Sequence, residues 1–237
     1  MLNEWVALVV TSAAALLWLR INDTLAHRGM ISGPLSRKLI HMGTGPIFVL
    51  CWLLFPDTPE ARYLAAFIPF MITLQFILIG FGMIKDKASV DAMSRNGDPR
   101  EILRGPVYYG IVFVAMTLIY WKDSPIGMVA LMLLCGGDGL ADVIGKRIPS
   151  SKIPWSPRKT WAGTLSMFVG GWVFAIGILA VFLAAGVFPG SISAYLAPVT
   201  LIALAATAVE SMPYSDIDNL TVPAVAVLLG HLLLPKG

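Results

Sequence analysis

Apolar residues are collected in eight long stretches, which shorter polar segments separate. The stretches fall at about 5–19, 39–55, 61–84, 105–121, 125–144, 162–188, 192–209 and 222–235. A helix needs about 20 predominantly apolar residues to cross a bilayer, so stretches of this kind predict transmembrane helices, the last being the shortest. The pattern predicts an all-α, polytopic integral membrane protein with about eight transmembrane helices.

Basic residues lie almost entirely on one side of these predicted helices. Of the 17 Lys and Arg residues, 14 fall in the segments 20–38, 85–104 and 145–161, and the other three are Arg62, Lys122 and Lys236. Cytoplasmic loops carry the excess of Lys and Arg. We therefore predict that these three segments, together with 210–221, are cytoplasmic and that both termini are non-cytoplasmic.

Composition narrows the possible classes of protein. The chain is 57% hydrophobic and only 13% charged, which excludes a water-soluble domain of this size. Eight membrane spans leave no room for an added soluble domain, so we predict a single transmembrane domain over residues 1–237. The net charge of +3 is too small to indicate a nucleic-acid partner. Cys51 and Cys135 lie in apolar stretches without a CxxC pattern, which favours buried free thiols over a disulfide or a zinc site.

Two acidic residues, Asp138 and Asp142, interrupt the end of the fifth apolar stretch. Together with Lys146 they are spaced four apart, which places all three on one face if a single helix continues through them. Two carboxylates one turn apart suit Mg²⁺, which takes one or two protein carboxylates plus substrate phosphates. The glycines of this segment would let a bulky ligand approach the backbone; they are Gly136, Gly137, Gly139 and Gly145. The alternative is an Asp142–Lys146 ion pair at a helix end, with glycines that serve helix packing.

The next segment carries a group of basic residues at a predicted helix start. Ser156-Pro157 has the pattern of an N-cap and a first helical residue. Arg158, Lys159 and Thr160 would then lie in a first helical turn, where free N–H groups and the helix dipole favour an anion. Cations in that turn indicate a bound polyanion such as a nucleoside triphosphate, with space left by Gly163. The alternative is that these cations, like Lys152, contact anionic lipid headgroups.

The motifs containing these residues resemble a known enzyme family. Residues 137–145 (GDGLADVIG) and 153–163 (IPWSPRKTWAG) are similar to the signature of the CTP-dependent polyprenol kinase family, above all its phytol kinase branch, with dolichol kinases more distant. Residues 37–41 (RKLIH), 209–213 (VESMP) and 218–223 (DNLTVP) are similar to its N-terminal and C-terminal motifs. One departure is that Ile217 precedes Asp218, where relatives often have a second acid; Asp216 lies one residue earlier.

The resemblance implies an activity and a set of site residues. The activity is transfer of the γ-phosphoryl group of CTP, with Mg²⁺, to a long-chain isoprenoid alcohol, taken to be phytol, as in tocopherol biosynthesis. The implied metal ligands are Asp138, Asp142, Glu210 and Asp218. The implied nucleotide-binding residues are Lys146, Ser156, Arg158, Lys159, Thr160 and Gly163. Catalysis is assigned to Asp138, Asp142 and Lys159, and substrate binding to Arg37, Lys38, His41 and Asn219. One of the acids would accept the hydroxyl proton, with Asp142 as the favoured candidate; for His41 the alternative is a packed, hydrogen-bonded histidine.

Two other functions stay open at this point. Phosphatidate cytidylyltransferases share a similar Ser-Pro-Lys-Lys-Thr stretch, so a CTP-dependent cytidylyltransferase acting on a lipid phosphate is the alternative enzyme; an acid typical of that family is replaced here by Ala162. A transporter or proton relay would also place acids in membrane helices. It would require polar residues at mid-depth, whereas these acids lie near helix ends and only Gln75, with scattered Ser and Thr, interrupts the middles.

The membrane itself is predicted from the start of the chain. The first apolar run follows Glu4 rather than a basic segment, so neither a cleavable signal nor a transit peptide is predicted. This favours a bacterial plasma membrane or a thylakoid membrane, with the active site on the cytoplasmic side.

Overall fold

The computed structural model describes residues 2–94, 96–214 and 217–235, and it consists almost entirely of helices. The α-helices are α1 (Glu4–His27), α2 (Gly33–Cys51), α3 (Ala61–Gly80), α4 (Lys87–Met93), α5 (Gly105–Ile119), α6 (Pro125–Met132), α7 (Gly139–Arg147), α8 (Trp161–Ala184), α9 (Ile192–Glu210) and α10 (Asp218–Leu233). The shorter elements are 3-10 turns at Trp52–Leu54 and Pro99–Leu103, a π-helical turn at Leu133–Asp138, and the antiparallel strands β1 (Lys152–Ile153) and β2 (Ser156–Thr160). The all-α class predicted from the sequence is confirmed.

Six helical segments in these described ranges are long and apolar enough to cross a membrane. They are Glu4–His27, Ala61–Gly80, Pro99–Ile119, Pro125–Arg147, Trp161–Ala184 and Ile192–Glu210. They match six of the eight predicted spans, and the chain is an all-α membrane protein. The other two predicted spans are also helical, but α2 is too polar in its first two turns to qualify, and α10 has only 16 residues. The exact number of crossings and the side on which the termini lie stay predictions.

A long central helix organises the bundle. It consists of α6, the π-helical turn and α7, and all eight residues of α6 are buried. Helices α2, α5, α8 and α10 pack around it, while α1 packs on α2 and α3 packs on α5. The outer helices expose large apolar side chains such as Leu17 and Phe70, as expected for surfaces that contact lipid acyl chains. Cys51 and Cys135 are free and buried, as predicted.

The glycines beside Asp138 and Asp142 serve helix packing. A side chain at Gly145 would come within 3.2 Å of the Gly163 Cα, and one at Gly163 would come within 3.0 Å of the Ala141 carbonyl oxygen. The remaining glycines are covered by side chains, Gly136 by Phe174, Gly137 by Met167 and Gly139 by Met42. Contrary to the prediction that these glycines leave space for a ligand, the space beside them is filled by packing against α8 and, at Gly139, against α2.

The predicted helix start at Ser156-Pro157 is also wrong. Residues 156–160 form β2, which pairs with β1 in a short hairpin, and α8 begins only at Trp161. Thr160 is the N-cap, since its Oγ1 accepts a hydrogen bond of 3.2 Å from the Gly163 N–H. Two more N–H groups of the first turn of α8 donate hydrogen bonds to upstream residues. Trp161 N donates to the Ser151 carbonyl oxygen at 3.1 Å, and Ala162 N donates to Ser150 Oγ at 3.0 Å. Those N–H groups are therefore satisfied within the chain, so an anion at the start of α8 would have to displace these contacts.

The helix ends define two ends of the bundle. The acidic end contains the starts of α2, α5, α8 and α10 and the ends of α7 and α9, where Asp138, Glu210 and Asp218 lie. The opposite end contains the start of α1 and the last turn of α10, and just before α1 the Leu2 N–H donates to the Leu54 carbonyl oxygen at 2.9 Å. Both ends of the described chain are therefore at the opposite end, away from the acids.

Candidate active site

Three carboxylates from separate helices meet at the acidic end. Asp138 at the junction of the π-helical turn and α7, Glu210 at the last residue of α9 and Asp218 at the first residue of α10 each offer an oxygen within 4.8 Å of the others. Their side chains are 17%, 5% and 26% exposed, respectively. Charges of one sign this close and this little hydrated are unfavourable without cations. These three carboxylates can therefore bind a cation. They come from positions that are up to 80 residues apart in the sequence.

Lys159 supplies one of those cations. Its ammonium pairs with the Glu210 carboxylate, donates to the Glu210 backbone carbonyl and lies 4.0 Å from Asp218 Oδ2. The hairpin sets this direction, because neighbouring residues of β2 point to opposite faces and Lys159 is the one that turns toward the acids. Arg158, the preceding residue, is exposed. Among the described side chains no hydrogen bond reaches Glu210 Oε2, although that oxygen is buried.

Lys38 supplies the second cation, from the start of α2. Its Nζ lies 3.5 Å from Asp138 Oδ2 and 3.6 Å from Asp142 Oδ2, so it contacts both of these acids from one side. Asp142 also forms the ion pair with Lys146 at 2.6 Å that the sequence offered as an alternative, and the Lys146 side chain is 73% exposed. Asp142 thus borders the three-carboxylate group without belonging to it.

His41 lies one turn deeper on α2, and its surroundings were not predicted. Its Nε2 is 3.5 Å from Asp138 Oδ2 and is buried, and the described chain offers it no hydrogen bond. The Tyr109 hydroxyl donates to the His41 carbonyl oxygen at 3.0 Å and lies 3.1 Å from Cys135 Sγ. The two rings are 4.4 Å apart. A single tyrosine in an apolar stretch gives no sequence signal, which is why Tyr109 was missed.

The other predicted site residues take part in packing or capping. Arg37 turns away from Lys38 and donates to the Asp91 carbonyl oxygen at 3.4 Å. Asn219 Nδ2 donates to the Gly105 carbonyl oxygen at 3.0 Å and so ties α10 to α5. Ser156 is buried in β2, and Thr160 and Gly163 form the start of α8 as described above. Asp216, whose role the sequence left open, lies outside the described residues.

Several relatives of this chain carry the name phytol kinase. It is 37% identical over 238 residues to a probable chloroplastic phytol kinase of Zea mays, covering 100% of this chain and 78% of the relative. It is 37% identical over 212 residues to phytol kinase 1 of Arabidopsis thaliana, covering 89% and 70%. It is 39% identical over 218 residues to a probable phytol kinase 1 of Glycine max, covering 90% and 72%. No family model and no solved structure matches the chain.

Proposed function

The chain belongs to the phytol kinase branch of the polyprenol kinase family, and we propose that it transfers the γ-phosphoryl group of CTP to the hydroxyl of phytol, giving phytyl phosphate and CDP. The names of the relatives support the kinase activity and the alcohol substrate. CTP as the donor is proposed from the similarity of residues 153–163 to the family signature.

The observation that carries the proposal is the composition of the acidic end. Asp138, Glu210 and Asp218 approach within 4.8 Å of one another, while Lys159 and Lys38 lie among them. Phosphoryl transfer depends mainly on positioning and on neutralisation of phosphate charge, which cations and a metal-binding carboxylate group provide. Phytol is apolar and stays in the bilayer, whereas a nucleotide stays in water, so the two can meet only at an end of the bundle.

The carboxylate group has the oxygen ligands that Mg²⁺ prefers. Mg²⁺ prefers oxygen ligands, and the buried Glu210 Oε2, which lacks a hydrogen bond from any described residue, is an acceptor that a cation would satisfy. We propose Asp138, Glu210 and Asp218 as its ligands, with Asp142 as a neighbour rather than a ligand. When bound, Mg²⁺ would offset charge on the phosphates.

The basic residues of this site would contact the phosphates of the nucleotide. Lys159 is 20% exposed and already points into the carboxylate group, so it can exchange a carboxylate contact for a phosphate oxygen without a change in the hairpin. Lys38 would keep Asp138 and Asp142 separated and oriented. The hydroxyl of phytol must also lose a proton. Asp142 is the proposed acceptor, and the buried Nε2 of His41 is the other acceptor within this site.

The test is incubation of the purified protein with phytol, Mg²⁺ and CTP labelled on the γ-phosphate. We expect labelled phytyl phosphate and CDP from the unaltered chain and neither from Asp138→Asn. Pyrophosphate and a CDP-lipid formed from a lipid phosphate would instead identify a cytidylyltransferase. Ion flux through liposomes without nucleotide would identify a transporter. A folded, CTP-binding protein that forms no phytyl phosphate would contradict the proposed substrate.

We also propose the orientation that the basic segments indicate. The described residues of the segments 20–38, 85–104 and 145–161 border the acidic end, so that end would face the cytoplasmic side of a bacterial plasma or thylakoid membrane. The relatives named above are chloroplastic, which favours the thylakoid.

A further inference from the structure

An indole side chain is hydrogen-bonded to the residue that follows Glu210 of the carboxylate group. Trp155 lies in the two-residue turn of the hairpin, between Ile153 and Ser156, which pair with each other. Its Nε1 donates to Ser211 Oγ at 3.1 Å, and Ser211 directly follows Glu210. The Trp161 ring packs edge-to-face against it at 6.0 Å. Trp155 nevertheless remains 49% exposed.

This arrangement differs from that of a tryptophan that contacts the membrane interface. Interfacial tryptophans are amphipathic, with the ring among lipids and the N–H free for headgroups or water. In Trp155 the N–H is used by Ser211, which is only 2% exposed and whose own hydroxyl donates to the Ala208 carbonyl oxygen at 2.7 Å. The ring is therefore held relative to Glu210, and its exposed surface is apolar and aromatic.

The same hairpin carries the phosphate-binding group. Lys159 lies on β2, four residues after Trp155, and pairs with Glu210, the residue beside the hydrogen-bond acceptor of Trp155. An aromatic surface and a group for phosphate and metal are thus joined by one short hairpin and by the end of α9. A nucleoside triphosphate has matching parts, with a flat base at one end, phosphates at the other and a sugar between them.

We propose that Trp155 is a stacking platform for the nucleobase of the triphosphate, with Lys159 and the carboxylate group at its phosphate end. This inference rests on the proposed function, because it assigns the base of the same nucleotide. Stacking on an aromatic side chain tolerates different bases, since every base has a π-face. Trp155 would therefore raise the affinity for nucleotides in general, and selection of CTP would come from other contacts.

The test compares two ligands that differ only in having a nucleoside. Binding of CTP–Mg²⁺ and of inorganic tripolyphosphate–Mg²⁺ is measured by calorimetry on the full chain in detergent micelles. We expect Trp155→Leu to weaken CTP binding about tenfold, which corresponds to the loss of one base–aromatic stack, and to leave tripolyphosphate binding unchanged. Trp155→Phe keeps an aromatic face and loses only the Ser211 hydrogen bond, so its loss of CTP affinity should be smaller. The matched control is Trp5→Leu on α1, where the indole is 65% exposed at the opposite end.

Each other result would overturn the proposal in a distinguishable way. Equal CTP affinity in Trp155→Leu and the unaltered chain would assign the indole to lipid contact. Equal losses for CTP and tripolyphosphate in both Trp155 variants would mean that the ring only maintains the hairpin. If the unaltered chain binds no CTP, the proposed function fails together with this inference. If it binds CTP and phosphorylates phytol, a silent Trp155→Leu result refutes only this inference.

Discussion

The two ends of the bundle arrange their charges in different ways. At the opposite end, Arg62 pairs with Asp123 at 2.6 Å and Lys122 pairs with Asp57; the two carboxylates are 59% and 70% exposed. At the acidic end, Asp138, Glu210 and Asp218 are at most 26% exposed and share Lys38 and Lys159.

This difference distinguishes ion pairs that serve structure from a charged group that can bind a ligand. A pair of one cation with one carboxylate that is open to water needs no further partner, and this is the arrangement of Asp123 and Asp57. Three carboxylates that lie this close together and are largely buried are stable only when cations neutralise them. One of their oxygens, the buried Glu210 Oε2, has no hydrogen bond from any described residue, so this group still lacks a partner for it. We therefore propose that the acidic end accepts a further charged ligand, whereas Asp123 and Asp57 at the opposite end each have a cationic partner and access to water.

The largest expected effect separates the two ends by activity. Asp138→Asn should lower the rate of phytyl phosphate formation about 10³-fold, because it removes a charge from the proposed metal and phosphate site. Asp123→Asn, a matched carboxylate at the opposite end, should change the rate less than twofold. Initial rates with labelled CTP, on protein of equal thermal stability, measure both. Similar losses in the two variants would remove the functional distinction between the ends.

A second prediction uses stability and Mg²⁺. Lys159→Met leaves the 5% exposed Glu210 carboxylate without its ammonium partner and should cost about 3–5 kcal/mol of unfolding free energy, part of which added Mg²⁺ should restore. Lys122→Met also removes a cation, but its partner Asp57 can be solvated, so the loss should be smaller and Mg²⁺ should not reverse it. Thermal unfolding with and without Mg²⁺ tests this. Restoration of both variants by Mg²⁺ would indicate a nonspecific salt effect.

A third prediction concerns the proton acceptor inside the acidic end. Asp142→Asn should lower kcat about 100-fold with little change in the KM for CTP, as expected for loss of a general base. His41→Gln keeps a hydrogen-bonding side chain at the second acceptor position, and its kcat should fall less than tenfold. The reverse order of the two effects would assign the proton to His41 Nε2.

The sequence predicted the long elements and the place where the charges meet. Hydrophobic stretches located the helices, because lipid requires each crossing to satisfy its own backbone. Motif order placed Asp138, Lys159 and Asp218 in one site, and the structure brings these three side chains together.

Local signals failed where tertiary packing chose between two valid local structures. Ser156-Pro157 fits a helix start, but pairing of Ile153 with Ser156 makes this segment a hairpin. The π-helical turn has no recognisable sequence pattern, so it could not be predicted, yet it determines where Asp138 lies. Gly163 is compatible both with a ligand and with a helix contact, and only the approach of α7 decides between them.

The smallest expected effect on stability and activity is at Thr160, where it tests whether this residue is the N-cap of α8 rather than part of an earlier helix start. In the structure its hydroxyl caps α8, so Thr160→Val should cost about 1 kcal/mol of unfolding free energy and leave the KM for CTP within twofold. Thr164 provides a control one turn later, because its buried Oγ1 has no hydrogen-bond partner in the part of the chain that the structure describes. Thr164→Val should therefore keep or slightly raise stability. Chemical denaturation and CTP titration measure both quantities. A tenfold higher KM in Thr160→Val, at unchanged stability, would show that the hydroxyl binds nucleotide, as the sequence predicted, rather than capping the helix.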